Sequence, residues 1–242
     1  MAAPKSPAKM DRGEIAPGRS TRAEIDAFLN EVRSLKPTGS GRGRLIFAMD
    51  ATMSRQPSWD LALELQADMF KAVKAVGGLD VQLIYFRGFN ECRASKWVGD
   101  PEALARLMRR VACAGGFTQI GRVLSHARRE NEAGKVNALV YVGDCMEEDV
   151  DRLANLAGEL GLIGVPVFLF QEGHDTKAER AFREISRLSR GAYCRFDAGS
   201  AKQLRELLAA VAVYASGGRK ALKDFSDETK SKGALRLLEQ LG

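Results

Sequence analysis

Three stretches of the chain are apolar at nearly every position: RLIFAMD at 44–50, NALVYV at 137–142 and VPVFLF at 165–170. Runs of this kind, bounded by Gly, Pro and polar loops, are the signature of strands covered on both faces. Between them the apolar positions recur at helical spacing over 59–76, 101–111, 119–131, 148–160, 177–189 and 201–215, with two further strands predicted at 81–86 and 192–196. Strand and helix alternate, so the predicted fold is a doubly wound, mostly parallel α/β sheet with helices on both faces. The segment 95–98 follows the strand at 81–86 through RGFNECRA, a loop too short to hold a crossover helix. It is therefore predicted to pair antiparallel, as one short edge strand.

The two ends have different patterns. STRAEIDAFLNEVRSL, 20–35, places Ser20 as a helix cap and Ile25, Phe28, Leu29, Val32 and Leu35 on one helical face. The glycines of PTGSGRGR, 37–44, precede a strand, whereas a dinucleotide loop follows one and opens a helix. The expected organisation is a disordered basic tail at 1–19, a helix and linker at 20–43, the α/β domain at 44–216, and a helical extension at 217–242. Ala221, Leu222 and Phe225, then Leu235, Leu237, Leu238 and Leu241, suggest helical turns interrupted at 231–233, which either cover the domain or bind a partner.

A length of 242 residues suits one sizeable domain with short additions. There is no apolar run of membrane-spanning length, and the polar, Pro-rich start has no apolar core of a secretory signal. Asp11 and Glu14 argue against a mitochondrial leader, so the expected location is cytoplasmic. Cys92, Cys113, Cys145 and Cys194 form no CxxC pair and have no histidine at ligand spacing, so they read as reduced thiols, neither a disulfide framework nor a zinc site. Net charge is +6, and residues 1–44 carry nine Lys or Arg against five Asp or Glu. The arm is sparse and lacks interleaved aromatics, so a solvated tail is expected and nucleic acid is not.

The candidate chemistry lies at the strand ends. Ligands of an open parallel sheet bind outside the carboxyl ends of its strands, where the winding reverses. Two strands end in aspartate, RLIFAMD at Asp50 and NALVYVGD at Asp144, and DATMS adds Thr52 and Ser54 at alternate positions. A third hydroxyl, Thr118, follows the turn in CAGGFTQIG. Carboxylates and hydroxyls with no soft ligand among them suit a hard cation, Mg²⁺ or Mn²⁺. Two acids on one rim repel each other unless a cation or hydrogen bonds compensate. Against this stand local roles: Thr118 as a helix N-cap and Ser54 as a cap of the helix after it.

In these residues the chain resembles the von Willebrand factor type A family, whose metal-ion-dependent adhesion site (MIDAS) is Asp-x-Ser-x-Ser after the first strand, a Thr in a later loop and an Asp after the fourth strand. DATMS, GGFT and GDCMEE supply Asp50, Thr52, Ser54, Thr118 and Asp144 in that order, with Thr52 where Ser is usual. The resemblance covers roughly 44–216 and implies a Rossmann-like sheet. It implies that the hydroxyls coordinate a divalent cation directly or switch in and out of its shell, that the aspartates act directly or through water, and that a partner's Asp or Glu completes the coordination.

Other polar residues on the same rim are Glu147, Glu148 and Asp149, expected to favour the N-terminus of the following helix, then Glu172, Asp175 and Asp197. His174 is expected to be solvated, as are the pairs Arg109–Arg110 and Arg128–Arg129.

A Mg²⁺-dependent phosphoryl-transfer enzyme of haloacid-dehalogenase-like type is the rival reading, since it keeps its nucleophile where Asp50 lies. Such enzymes have a second acid two residues on, and Thr52 cannot accept and return a proton at neutral pH. LIFAMD also lacks the acidic pair of a response-regulator receiver. A third reading is a metal-independent adaptor that binds through the basic arm or the terminal helix. The residues point to a binding domain with no catalytic role, which docks an acidic group of a protein partner through the cation.

Overall fold

A computed structural model describes residues 21–34, 42–197 and 200–241. The expected tail, Ser20, Leu35 and most of the PTGSGRGR loop lie outside the described residues. The elements run α1 (Arg22–Ser34), β1 (Gly43–Asp50), α2 (Gln56–Ala72), β2 (Leu79–Arg87), β3 (Glu91–Val98), α3 (Pro101–Arg109), α4 (Ile120–Ala133), β4 (Ala138–Gly143), α5 (Val150–Leu162), β5 (Val167–Glu172), α6 (Thr176–Leu188), β6 (Ala192–Phe196), α7 (Ala201–Thr229) and α8 (Lys232–Leu238). The strands form one sheet in the order β3-β2-β1-β4-β5-β6. Every pairing is parallel except β2 with β3. The fold is the predicted doubly wound α/β sheet, and its winding reverses between β1 and β4.

Strand alternation divides the core into two layers. Leu45, Phe47 and Met49 of β1 face a layer built with α1, α2, α3, α7 and α8, and Ile46 and Ala48 face one built with α4, α5 and α6. Each large side chain fully buried this way contributes about 1.5–3 kcal/mol relative to exposure. The apolar runs of β1, β4 and β5 are continuous because both faces are covered.

The edge strand β3 begins at Glu91, four residues before the predicted 95, and only 88–90 form the turn. Gly88 turns there at φ 61°. The polar residues that hid the strand are satisfied by its neighbours: Tyr85 Oη donates to Glu91 at 3.0 Å and Arg87 Nε at 3.3 Å. At the start of the described chain the α1 cap is Thr21. Its hydroxyl accepts from Glu24 N at 3.2 Å while Glu24 accepts from Thr21 N at 2.7 Å, a reciprocal capping box.

The helix predicted to stop at 215 continues to Thr229 as α7, bent at Gly218, whose φ of 68° only glycine adopts freely. It ends at Lys230, and Ser231 caps α8 by accepting from Ala234 N at 3.2 Å, where the break at 231–233 was predicted. The terminal turns cover the domain. Gln240 bonds both Tyr193 N and Tyr193 O at 2.9 Å, and Arg236 donates to Arg195 O at 2.8 Å. Side chains thus satisfy part of the open edge of β6. No helix among the described residues is long and apolar enough to cross a membrane.

Candidate metal centre

Asp50 ends β1 and Asp144 follows β4, the two strands flanking the point where the winding reverses. Asp50 is fully buried. One of its oxygens, Oδ1, accepts from Thr52 N at 2.7 Å; among the described residues the other, Oδ2, is buried without a partner, and so is Asp144 Oδ1. Burial pushes the Asp50 carboxyl up to about 6, against the hydrogen bonds from Thr52 and the charge of Arg55, and the Asp144 charge pushes the same way as burial. Ser54, at the exposed end of the loop, donates to Asp144 Oδ2 at 3.2 Å. Ser54 does not cap α2, whose first turn has no side-chain cap.

Cys145 joins this cluster, with one donor atom each from Asp50, Asp144 and Cys145 within 4.8 Å of one another. The site therefore contains a soft donor that the sequence reading did not include. Burial first, then the charge of Asp144 and a hydrogen bond to it, raise the thiol far above its ordinary range, so at neutral pH it is a neutral thiol. The two orphaned carboxylate oxygens remain the principal donors. With the Ser54 hydroxyl beside them, they fit a divalent cation that takes oxygen ligands.

Thr118 is buried on the same rim, but its hydroxyl is engaged elsewhere. It donates to Glu147 Oε2 at 2.7 Å and accepts from Glu147 N at 3.3 Å. It does not cap α4, as the sequence suggested. That role falls to Glu148, which accepts from Ile120 N and, at 3.0 Å, from Gly121 N. Of the three acids after Cys145, only Asp149 serves the following helix, accepting from Arg152 N at 2.8 Å. The other two reach back and tie the loop after β4 to the start of α4. Asp175 caps α6 by accepting from Ala178 N at 2.6 Å, and His174 is exposed as expected.

Arg55, immediately after DATMS, is 2% exposed. Its guanidinium pairs with Glu172 at the end of β5 and approaches Asp144 Oδ2 at 3.9 Å, and Ser58 Oγ also donates to Glu172. The loop after β1 is thus anchored to β5 by a buried ion pair.

No family model matches the chain, and no curated protein does. Solved structures do. The SpRpn10 VWA domain superposes with a TM-score of 0.53 at 14% identity, over 73% of this chain and 97% of that one. Proximal thread matrix protein 1 of the mussel byssus, with zinc in its MIDAS motif, superposes with a TM-score of 0.56 at 17% identity, over 71% of this chain and 45% of that one. An aerotolerance-related membrane protein of Bacteroides fragilis gives 0.53 at 17% identity, over 69% of this chain and 96% of that one. The fold is that of a von Willebrand factor type A domain.

Within that fold the structure brings Asp50, Thr52, Ser54 and Asp144 together and sets Thr118 against Glu147. Cys145 and Arg55 are the residues sequence reasoning missed. A Cys directly after the strand-end Asp was a signal available for the first. For Arg55 the only hint was Glu172, an acid closing an apolar strand and therefore in need of a partner.

Proposed function

We propose that this chain is a divalent-cation-dependent protein-binding domain, with no catalytic role, that docks an acidic group of a partner. The observation that carries the reading is the pair of buried carboxylate oxygens without partners, Asp50 Oδ2 and Asp144 Oδ1, at the switch point of a type A fold. Asp50, Asp144 and Ser54 would hold the cation. Thr52 orients Asp50, and Thr118 stays with Glu147 beside the site. Cys145 leaves open a softer cation than the Mg²⁺ or Mn²⁺ favoured by the oxygen donors. When bound, the cation supplies positive charge and an open position for an outside carboxylate.

The chain's own residues do the rest. Thr52 N fixes one oxygen of Asp50 and leaves the other for the cation, and Ser54 does the same for Asp144. Arg55 holds the loop to β5, so the donors are positioned before anything binds.

Calorimetry with Mg²⁺, Mn²⁺ and Zn²⁺ tests the reading. The intact chain is expected to bind at least one, and Asp50→Ala to lose binding while staying folded by circular dichroism. Absence of cation binding by the intact chain would refute it. Cation-dependent release of phosphate from a generic ester, lost in Asp50→Ala, would instead favour the phosphoryl-transfer rival. A partner recovered equally with and without chelator would favour the metal-independent adaptor.

A further inference from the structure

Away from the candidate metal centre, a groove of about 400 Å³ opens where α4 passes over the edge of the sheet. Arg122, Ser125, His126 and Arg129 of α4 line it, and their spacing of three, four and seven residues puts them on one helical stripe. Arg152 closes it from the first turn of α5, and Cys92 of β3 forms part of the floor. Arg93 also borders it, but Arg93 pairs with Tyr85, whose side chain lies in the other layer, so the Arg93 side chain leaves toward that layer. Among the described residues no Asp or Glu lines the groove. The larger cavity between β6 and α8, about 670 Å³, has Glu179, Asp197, Glu206 and Glu239 among its bases, and opposite charges are mixed in its wall.

Two acids outside the lining bear on the groove. Glu148 accepts from the amides that open α4, and its charge acts on Arg152 and on the Cys92 floor, one negative charge against three guanidiniums. Glu130 takes Trp97 Nε1 at 2.9 Å and Arg44 at 3.4 Å, and is 3.7 Å from His126. Arg122 donates to Asn90 O at 2.8 Å and to Asn90 Oδ1 at 2.7 Å, neutral acceptors that orient its guanidinium without cancelling its charge. The field reaches the floor: burial pushes the Cys92 thiol up to about 11, while Arg122 and Arg129 are the strongest charges pulling it down. His126, bonded to Gln82 at 2.9 Å, is held below its ordinary range first by burial, so at neutral pH it is a neutral ring. Three guanidinium forks around a recess match a multiply charged oxyanion better than a single carboxylate, and the Ser125 hydroxyl in its wall already donates to Gly121 O at 2.7 Å.

We propose that the groove between α4, the N-terminal turn of α5 and β3 is a binding site for a phosphate monoester, held by Arg122, Arg129 and Arg152. The site is separate from the candidate metal centre and does not depend on it. The ester comes either from a free phosphorylated small molecule or from a phosphorylated side chain.

The test is calorimetry on the full chain, with chelator present, titrating inorganic phosphate, glycerol phosphate and a phosphoserine peptide in separate arms. Saturable binding is expected, weakened at least tenfold in Arg122→Gln/Arg129→Gln. It should be unchanged in the charge-matched control Arg109→Gln/Arg219→Gln, whose residues lie outside the groove. Stronger binding of glycerol phosphate would assign the small molecule, and stronger binding of the peptide the modified side chain. No saturable binding in any arm would overturn the proposal. So would equal weakening by the two double variants, since that is the signature of net charge alone.

Discussion

Asp50 and Glu172 are both buried carboxylates at the carboxyl ends of parallel strands in one sheet, and the chain treats them in opposite ways. Glu172 receives a guanidinium from Arg55 and a hydroxyl from Ser58. Asp50 receives hydrogen bonds from Thr52, keeps one oxygen unpaired, and is pushed up to about 6 by its burial. An acid neutralised from within holds the structure together. An acid left short of a counter-charge at a switch point is a cost to the chain alone, and a cation from outside would offset it.

The largest effect is expected from breaking the compensated member. Arg55→Ala removes the counter-charge of Glu172 and should cost about 3–5 kcal/mol, and Glu172→Ala, which leaves Arg55 with the more distant Asp144 at 3.9 Å, somewhat less, each read as a lower urea midpoint. Replacing both, as Arg55→Met/Glu172→Leu, should recover much of that loss because no buried charge is left alone. If either single variant were as stable as the parent, the buried pair would have no structural role and the contrast with Asp50 would fail.

Asp50 should respond with the opposite sign. Its folded value is raised from 3.8 to about 6, so its favourable contribution is full below about pH 4 and disappears as pH rises through about 6. The ion-free chain therefore loses up to about 3 kcal/mol across that window. Asp50→Asn keeps an acceptor for Thr52 N and removes the charge. At pH 7 it should be more stable than the parent by up to the same amount in chelator, and should lose cation binding. Unfolding free energies of the two chains at pH 4 and pH 7 measure the difference directly, and a difference independent of pH would sink the assignment.

A third prediction concerns competition between proton and cation at the same oxygen. Below about pH 6 cation affinity should fall about tenfold per pH unit, because Asp50 must release its proton to bind. Above that pH it should level off. Calorimetry at pH 5 and pH 7 tests this, and equal affinity at both would show that Asp50 is not a ligand.

The same contrast accounts for what could be read from the residues. Asp50 and Asp144 were legible because each closes an apolar run, and such runs are strands buried on both faces. The sheet followed from the same signal, whereas β3 was clipped by four residues because Glu91 and Arg93 look like loop until Tyr85 and Arg87 are seen beside them. Arg55 was legible only through the need of Glu172 for a partner. Its partner lies 117 positions away, and only the tertiary fold distinguishes a buried ion pair from a solvated side chain. Glu148 took the α4 cap expected of Thr118 for a similar reason. A helix N-terminus accepts any nearby oxygen, and here a carboxylate from a different loop reaches it.

Thr118 gives the finest test, because it is the one expected ligand whose hydroxyl the structure directs elsewhere. Thr118→Val keeps shape and β-branching and removes only the hydroxyl that donates to Glu147 Oε2 at 2.7 Å and accepts from Glu147 N at 3.3 Å. The backbone amide of residue 118 would still donate to the same carboxylate, at 3.1 Å in the parent, so the loop stays tied by one bond. The expected cost is about 1 kcal/mol of stability. Cation affinity should fall less than in Ser54→Ala, which removes a hydroxyl bonded to Asp144 itself. The reverse order would mean that Glu147 gives up Thr118 when the cation binds. Thr118 would then belong with the uncompensated side of the rim, and its bond to Glu147 would be the contact exchanged on binding.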